Sequence, residues 1–304
     1  MDLKNLKGSL LLILAAFIWG ISFVMQDLAA LYLSPFTING VRSIIGFLAL
    51  SILVLFMSKK TGRPIIEKTK KQRKDLIVSG TLCGICLCIA TNFQQFGIES
   101  YPSDAAASGR SGFITALYVV IVPIIYVLFK KRITLNVWIA VIFATIGMFL
   151  LCFGGSGGLY IGDLIVFFCT IAFSFQLICI DAYIDRVDGV KLSAVQFLVC
   201  GILSLILMLI FEKPSAQGLI SALPYILYLG IFSCGVAYTL QILGQQLCKN
   251  PTVAAIIMSM ESVFAALAGV VLIGESFSFR ETLGCIIMFA AIILSQLPTK
   301  NKAK

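Results

Sequence analysis

The chain has 304 residues, of which 60% are hydrophobic and only 12% charged, with a mean hydropathy of +1.03 and a formal net charge of +9. Soluble domains carry about a quarter charged residues, so too little charge is present to coat a water-soluble body, and lipid must be the main solvent. The positive balance does not point to nucleic acid, because the Lys and Arg side chains fall in short gaps between apolar runs, where they face an anionic leaflet.

A bilayer-crossing helix needs about 20 largely apolar residues. Ten such runs follow one another, at 8–26, 35–57, 75–97, 104–129, 134–153, 158–180, 191–211, 219–247, 251–273 and 278–297. A basic stretch precedes the first run, as in a signal peptide. That run is long enough to span and lacks a small-x-small cleavage site before Asp27, so it is read as a retained first helix. Turn chemistry separates the runs at Ser34-Pro35, Tyr101-Pro102, the Gly-rich stretch 154–158, Lys213-Pro214 and Asn250-Pro251. The longest gap, 58–74, is basic and polar and leaves no room for a soluble domain.

Orientation follows from Lys and Arg. With both termini in the cytoplasm of a cell-membrane protein, 19 of the 23 basic residues fall in cytoplasmic segments. Lys213 and Arg280 are the two on the outer side, and Arg42 and Arg110 lie within helices.

Residues 91–107 can be laid over 238–254, where Gln94 meets Gln241, Gly97 meets Gly244 and Ala107 meets Ala254. The spacing suits two halves of five helices, 1–153 and 154–304. Because five is odd, the second half enters the membrane from the opposite side. Inverted repeats of this kind are a hallmark of secondary transporters. The expected fold is therefore all-α and integral to the membrane, with ten transmembrane helices as two inverted five-helix repeats.

Helix 1 reads AAFIWGISFVMQDLA, helix 2 SPFTINGVRSIIGFLAL, helix 4 SGFITALYVVIVPII, and the last two helices MESVFAALAGVVLIGESFSFRETLGCIIMFAAIIL. In order and spacing these segments resemble the EamA-type branch of the drug/metabolite transporter superfamily over nearly the whole chain. Ser262 stands where a Pro often follows the Glu, and Lys130-Lys131-Arg132 where the first repeat often carries Gly-Glu. The resemblance implies a metabolite or drug permease or exporter, and leaves the solute open.

Charges inside the hydrocarbon are costly and default to function. Arg42 and Arg110 lie about 12 Å into helices 2 and 4 at 1.5 Å per residue. Their planar forks suit a solute carboxylate or phosphate. Equally open is pairing with Asp104, Glu99 or Asp27, or snorkelling to the surface. Glu261, near the middle of helix 9, is a proton-coupling candidate, since a low dielectric disfavours a charged carboxylate. Structural hydrogen bonding to a neighbouring helix is its alternative.

Uncharged candidates for solute contact are Asn92 and Gln94, with Gln95 beside them, then Tyr238, Gln241 and Gln245, with Gln176 and Gln196 joining. Trp19 and Tyr118 offer ring surface. Inter-helix hydrogen bonding and aromatic packing account for these residues as readily. Gly80-x-x-x-Gly84 and Ala265-x-x-x-Gly269 have the small-xxx-small spacing of close helix contacts.

No Gly-x-x-x-x-Gly-Lys-Ser/Thr loop is present, so ATP hydrolysis is not expected. With ten Cys scattered through apolar runs and no His, neither a metal nor a cofactor is expected, and the Cys read as packing residues. The expected partners are a small-molecule solute and the lipid bilayer; no motif addresses oligomeric state. An integral membrane enzyme would need a polar catalytic cluster at one membrane face, and a scaffold subunit would have a closed apolar centre.

Overall fold

The structure is a computed structural model that describes residues 3–61, 64–67, 69–102, 107–129, 133–152, 160–248, 250–273 and 279–297. The expected sites at Asp104, at Lys130-Lys131-Arg132 and in the 154–158 stretch lie outside the described residues, as does the packing around Gly269.

Among the described residues the fold is made of thirteen α-helices and one π-helical segment, with no strand. They are α1 (Leu3–Ala30), α2 (Pro35–Thr61), α3 (Lys70–Glu99), α4 (Ala107–Ala116), α5 (Tyr118–Leu128), α6 (Leu135–Cys152), α7 (Ile161–Tyr183) and α8 (Gly189–Phe211). Then come α9 (Ala216–Leu227), the π segment (Tyr228–Ala237), α10 (Tyr238–Cys248), α11 (Pro251–Met258), α12 (Glu261–Ile273) and α13 (Phe279–Gln296).

Eight stretches of the described chain are long and apolar enough to cross a bilayer. Two of the ten expected spans, 134–153 and 278–297, form shorter apolar helices within Leu135–Gly147 and Thr282–Ser295. These belong to α6 and α13, which have 18 residues each, or about 27 Å against a hydrocarbon core of about 30 Å. They pack mainly on each other.

The starts of the helices follow from local chemistry. Thr69 and Gln72 form a reciprocal capping box on α3, and Asp188, Ser215 and Asn250 accept first-turn N–H groups of α8, α9 and α11. Pro35 and Pro251 open α2 and α11, where a missing N–H costs nothing. At α2 the first-turn N–H groups of Phe36 and Thr37, which have no partner within the helix, are taken at 2.9 and 2.8 Å by the carboxylate of Glu212, which follows α8. Lys191 in the first turn of α8 reaches back to Glu67 and to the Pro64 carbonyl in the α2–α3 loop, at 2.6 and 2.7 Å.

Three spans are interrupted. Leu117 separates α4 from α5, Ser259-Met260 separate α11 from α12, and the π segment follows Pro224 within the 216–248 span. Each break frees backbone groups that a bilayer cannot hydrate. Thr170 on α7 donates to the Ile114 carbonyl at 2.8 Å, while Ser259 and Ser262 donate to Ile256 and Ser259 at 2.7 Å. Pro123, which has no N–H to offer a carbonyl one turn back, adds to the irregularity of α5.

Helices meet closely where glycines face them. A Cβ at Gly244 would lie 2.7 Å from Leu12 Cγ, and one at Gly97 would collide with Val166, so α10 crosses α1 and α3 crosses α7 at backbone distance. Gly80 and Gly84 seat Val195 and Val199 of α8 in the same way, and Gly20 seats Phe264 of α12. The main pairings are α3 with α7 and α8, α2 with α8 and the π segment, and α1 with α10 and α12.

Candidate functional site

A cavity with about 640 Å³ of free volume, the open region at its mouth included, lies among α1, α2, α3, the α4–α5 and α11–α12 breaks, α7, α8 and the π segment. The enclosed room that the centre of a water molecule can reach is about 50 Å³, so the side chains around the cavity stand close together. Trp19, Arg42, Gln94, Tyr118, Tyr238, Gln241, Gln176 and Glu261 line it, whereas Asn92, Arg110 and Gln245 do not.

The cavity has an aromatic side. Tyr238 sits edge-on to Trp19 at 4.8 Å and to Phe197 at 5.0 Å between ring centres. Phe173 and Phe23 complete that surface. Neither Phe197 nor Phe173 stands out from the apolar runs around it.

Arg42 is 4% exposed and donates to Gln26 Oε1 at 3.1 Å. Among the described residues it meets no carboxylate, so neither Glu99 nor Asp27 is its partner. Glu261 is equally buried and opens α12, and its Oε1 has no hydrogen-bond partner. Tyr118, which opens α5 at the other break, has its hydroxyl beside the Glu261 carboxyl. Tyr238 lies within electrostatic reach of both Arg42 and Glu261. The cavity thus holds one cation and one carboxyl, each buried without a compensating opposite charge.

Arg110 is held elsewhere. Its fork donates to Asp163 at 3.1 and 2.6 Å, and its guanidinium lies 4.7 Å from the Tyr160 ring centre. Asp163 also accepts from the Tyr101 hydroxyl at 2.8 Å and the Tyr160 N–H at 2.9 Å. Burial, and then the bond to Asp163, push the Tyr101 phenol well above its usual range, so it remains a donor. This cluster ties α4 to the start of α7. Asp163 is far in sequence from Arg110 and sits at the edge of an apolar run, where no local signal marks it as a partner.

Asn92 donates to the Cys88 carbonyl at 2.8 Å and to Ser204 at 3.0 Å, and accepts from Asn39 at 3.0 Å, which joins α2, α3 and α8. Gln245 donates to the Leu177 carbonyl at 3.4 Å. Gln176 bonds Gln196 at 3.2 Å. Among the described residues no group of three His, Cys, Asp or Glu is placed to hold a metal ion.

The lining has an internal order. One constant separation in the sequence carries Trp19 to Phe173, Ser22 to Gln176, Phe23 to Leu177 and Ser43 to Phe197. A shorter one carries Thr91 and Gln94 to Tyr238 and Gln241, and a third, shorter still, carries Thr115 and Tyr118 to Met258 and Glu261. Every one of these residues lines the cavity. The charges break the pattern, because Arg42 corresponds to Gln196 and Glu261 to Tyr118.

The family model for EamA-like transporters matches the chain twice, at residues 6–153 and 160–297. An "Uncharacterized transporter" of Archaeoglobus fulgidus is 28% identical over 295 residues, which cover 97% of this chain and 87% of that protein. The "Uncharacterized transporter YwfM" of Bacillus subtilis is 26% identical over 302 residues, covering 97% and 95%. A solved crystal structure superposes with a TM-score of 0.73 at 16% identity, over 95% of this chain and 96% of the other, and so shares the fold.

Proposed function

The chain belongs to the EamA-like transporter family, and on that premise we propose that it is a secondary transporter for a small organic solute with an anionic group, amino-acid-like in its charges. It works by alternating access across the cytoplasmic membrane, with both termini in the cytoplasm and Glu261 coupling transport to protons. The observation that carries this reading is the cavity walled by both halves of the chain, with Arg42 from one and Glu261 from the other set in a largely apolar and aromatic lining.

In this reading Arg42 holds the anionic group, since a guanidinium retains donors beyond the one given to Gln26. Glu261 faces a cationic group or a proton. Gln94 and Gln241 orient the solute, and Trp19, Tyr118 and Tyr238 supply ring surface. Asn92, Gln245 and Arg110 position the helices that carry these side chains.

Two inverted five-helix repeats, 1–153 and 154–304, with ten spans in all, complete the proposal. The double match of the family model and the paired lining positions support it. So does the packing: α3 meets α7 as α10 meets α1, and α3 meets α8 as the π segment meets α2. A two-fold axis exchanging the halves generates those pairs, and exchanging the halves' conformations turns a site open to one face into a site open to the other. A scaffold needs no buried Arg and Glu at its centre, and Arg42 and Glu261 both line this cavity.

The test is a screen of amino acids and small organic acids on purified protein in liposomes under an imposed pH gradient, with wild type beside Glu261→Gln. Gradient-driven accumulation is expected in wild type and not in the variant, with exchange at equal pH retained in both. Flux of no solute class overturns the transporter reading. Equal gradient-driven flux in both proteins overturns the role given to Glu261.

A further inference from the structure

Buried polar atoms without partners are rare and costly, and hydrocarbon offers no water to relieve them. Among the described residues, Tyr118 and Glu261 carry two such atoms in the cavity, and Ser111 and Arg280 carry two more on α4 and α13. The rest form two clusters. Asn39 Oδ1 on α2 and Gln95 Oε1 on α3 make the first; Ser193 Oγ, Gln196 Nε2, Gln241 Oε1 and Gln245 Oε1 on α8 and α10 make the second. All six residues are 3% exposed or less.

The first cluster separates two voids. A polar recess with about 610 Å³ of free volume is lined by Leu33, Thr37, Glu99 and Lys213. Along α2, Asn39 lies between Thr37 of the recess and Arg42 of the cavity; along α3, Gln95 lies between Gln94 of the cavity and Glu99 of the recess. Gln95 closes the gap by donating to the Gln26 carbonyl at 3.3 Å. The second cluster leads from the cavity wall at Gln241 toward the far ends of its helices. There Gly189, the first residue of α8, abuts Ile242, and Gln245 reaches across to α7.

These clusters face opposite sides of the membrane. Gly97 near the end of α3 abuts Gly162 at the start of α7, so α7 begins where α3 ends and delivers the chain to α8 at the other face. Asn39 and Ser193 are also related by the separation that carries Trp19 to Phe173.

We infer that the two clusters are the two gates of the transport route. The solute passes between α1, α2 and α3 beside Asn39 and Gln95 at one face, and between α7, α8 and α10 beside Ser193, Gln196, Gln241 and Gln245 at the other. The inference rests on the transporter reading. The six residues of the two clusters are buried here, and their unmet hydrogen-bonding groups are those that gain water or solute on opening. Shut gates that carry this penalty are easier to open than fully satisfied ones.

The experiment places a cysteine at Asn39→Cys or Ser193→Cys, in vesicles of defined orientation, and labels it with a membrane-impermeant maleimide added to one face at a time. Native Cys83, 0% exposed, is the internal reference, read by peptide mass spectrometry. Labelling of each position from opposite faces only, about tenfold or more above Cys83, is expected, because Gln95 in the first cluster and the three glutamines in the second keep their orphaned groups. Labelling of both from the same face, or of neither above Cys83, overturns the assignment. Solute flux in the same vesicles reports separately on the transporter reading. Ser193→Ala, which removes an orphaned hydroxyl without adding bulk, is expected to raise Tm and slow flux; flux at or above the wild-type rate overturns the gate.

Discussion

Tyr118 and Glu261 hold equivalent places in the two halves of the chain. Each is the first residue after the break in its span, each lines the cavity, and each carries an oxygen without a hydrogen-bond partner. A helix restarting inside a membrane presents unsatisfied N–H groups to the space before it, and half-helix ends of this kind hold solutes and ions in secondary transporters. The two groups differ in what they can exchange: a carboxyl releases its proton several pH units below a phenol.

Replacing Tyr118 by Phe removes the hydroxyl beside the buried Glu261 carboxyl and keeps the ring. Stability is expected to fall by about 1 kcal/mol, and gradient-driven flux to fall with it because Glu261 loses its polar neighbour. Thermal unfolding in detergent and liposome flux measure the two effects.

Arg42 is a buried cation without a carboxylate, a cost of about 2.5–3.5 kcal/mol at the bilayer centre on insertion scales. Arg42→Met is therefore expected to raise Tm and to cut transport of the anionic solute to the level of a neutral analogue, the trade expected of a residue kept for function rather than stability. Arg42→Lys retains the charge without the fork and is expected to weaken solute affinity. Unfolding curves and solute titrations on the same preparations check both statements.

The Arg110–Asp163 pair should behave in the opposite way. Either side chain replaced alone takes from the other its bidentate partner of opposite charge in a buried site, which costs up to about 3–5 kcal/mol. The double variant Arg110→Met/Asp163→Leu is expected to recover part of that loss. A double-mutant cycle on thermal stability reads the coupling, with the solute preference of the folded variants unchanged.

Gly97 and Gly244 seat the equivalent crossings of α3 on α7 and α10 on α1. Gly244→Val drives a side chain into Leu12, and a destabilisation of about 1–3 kcal/mol is expected from overpacking. Gly109, where an added Cβ would meet nothing within 4 Å, is the control: Gly109→Ala is expected to leave Tm unchanged or slightly raised.

Much of this was legible in the apolar runs, because lipid forces each span to be long, apolar and helical. The breaks at Leu117 and Ser259-Met260 were hidden. Their freed carbonyls are satisfied by Thr170 from another helix and by two serines of common type, neither of which disturbs hydropathy. Gln94, Gln241, Trp19, Tyr118 and Tyr238 stood out as polar or aromatic side chains in apolar runs, and the structure gathers them around one void. Arg110 stood out for the same reason, yet its surroundings depend on Asp163, a long-range contact with no periodic signature. Phe173 and Phe197 pass unnoticed in apolar helices until the correspondence with Trp19 and Ser43 is drawn.

The most direct measurement compares an accepted solute with an analogue whose anionic group is replaced by a neutral amide, in counterflow through wild type and Arg42→Gln. A charge-assisted hydrogen bond from Arg42 implies roughly 10–100-fold discrimination in wild type. The expected result is that this preference collapses in the variant while the analogue moves equally through both. Undiminished preference in Arg42→Gln would contradict an anion site at Arg42 and require the solute to be held elsewhere.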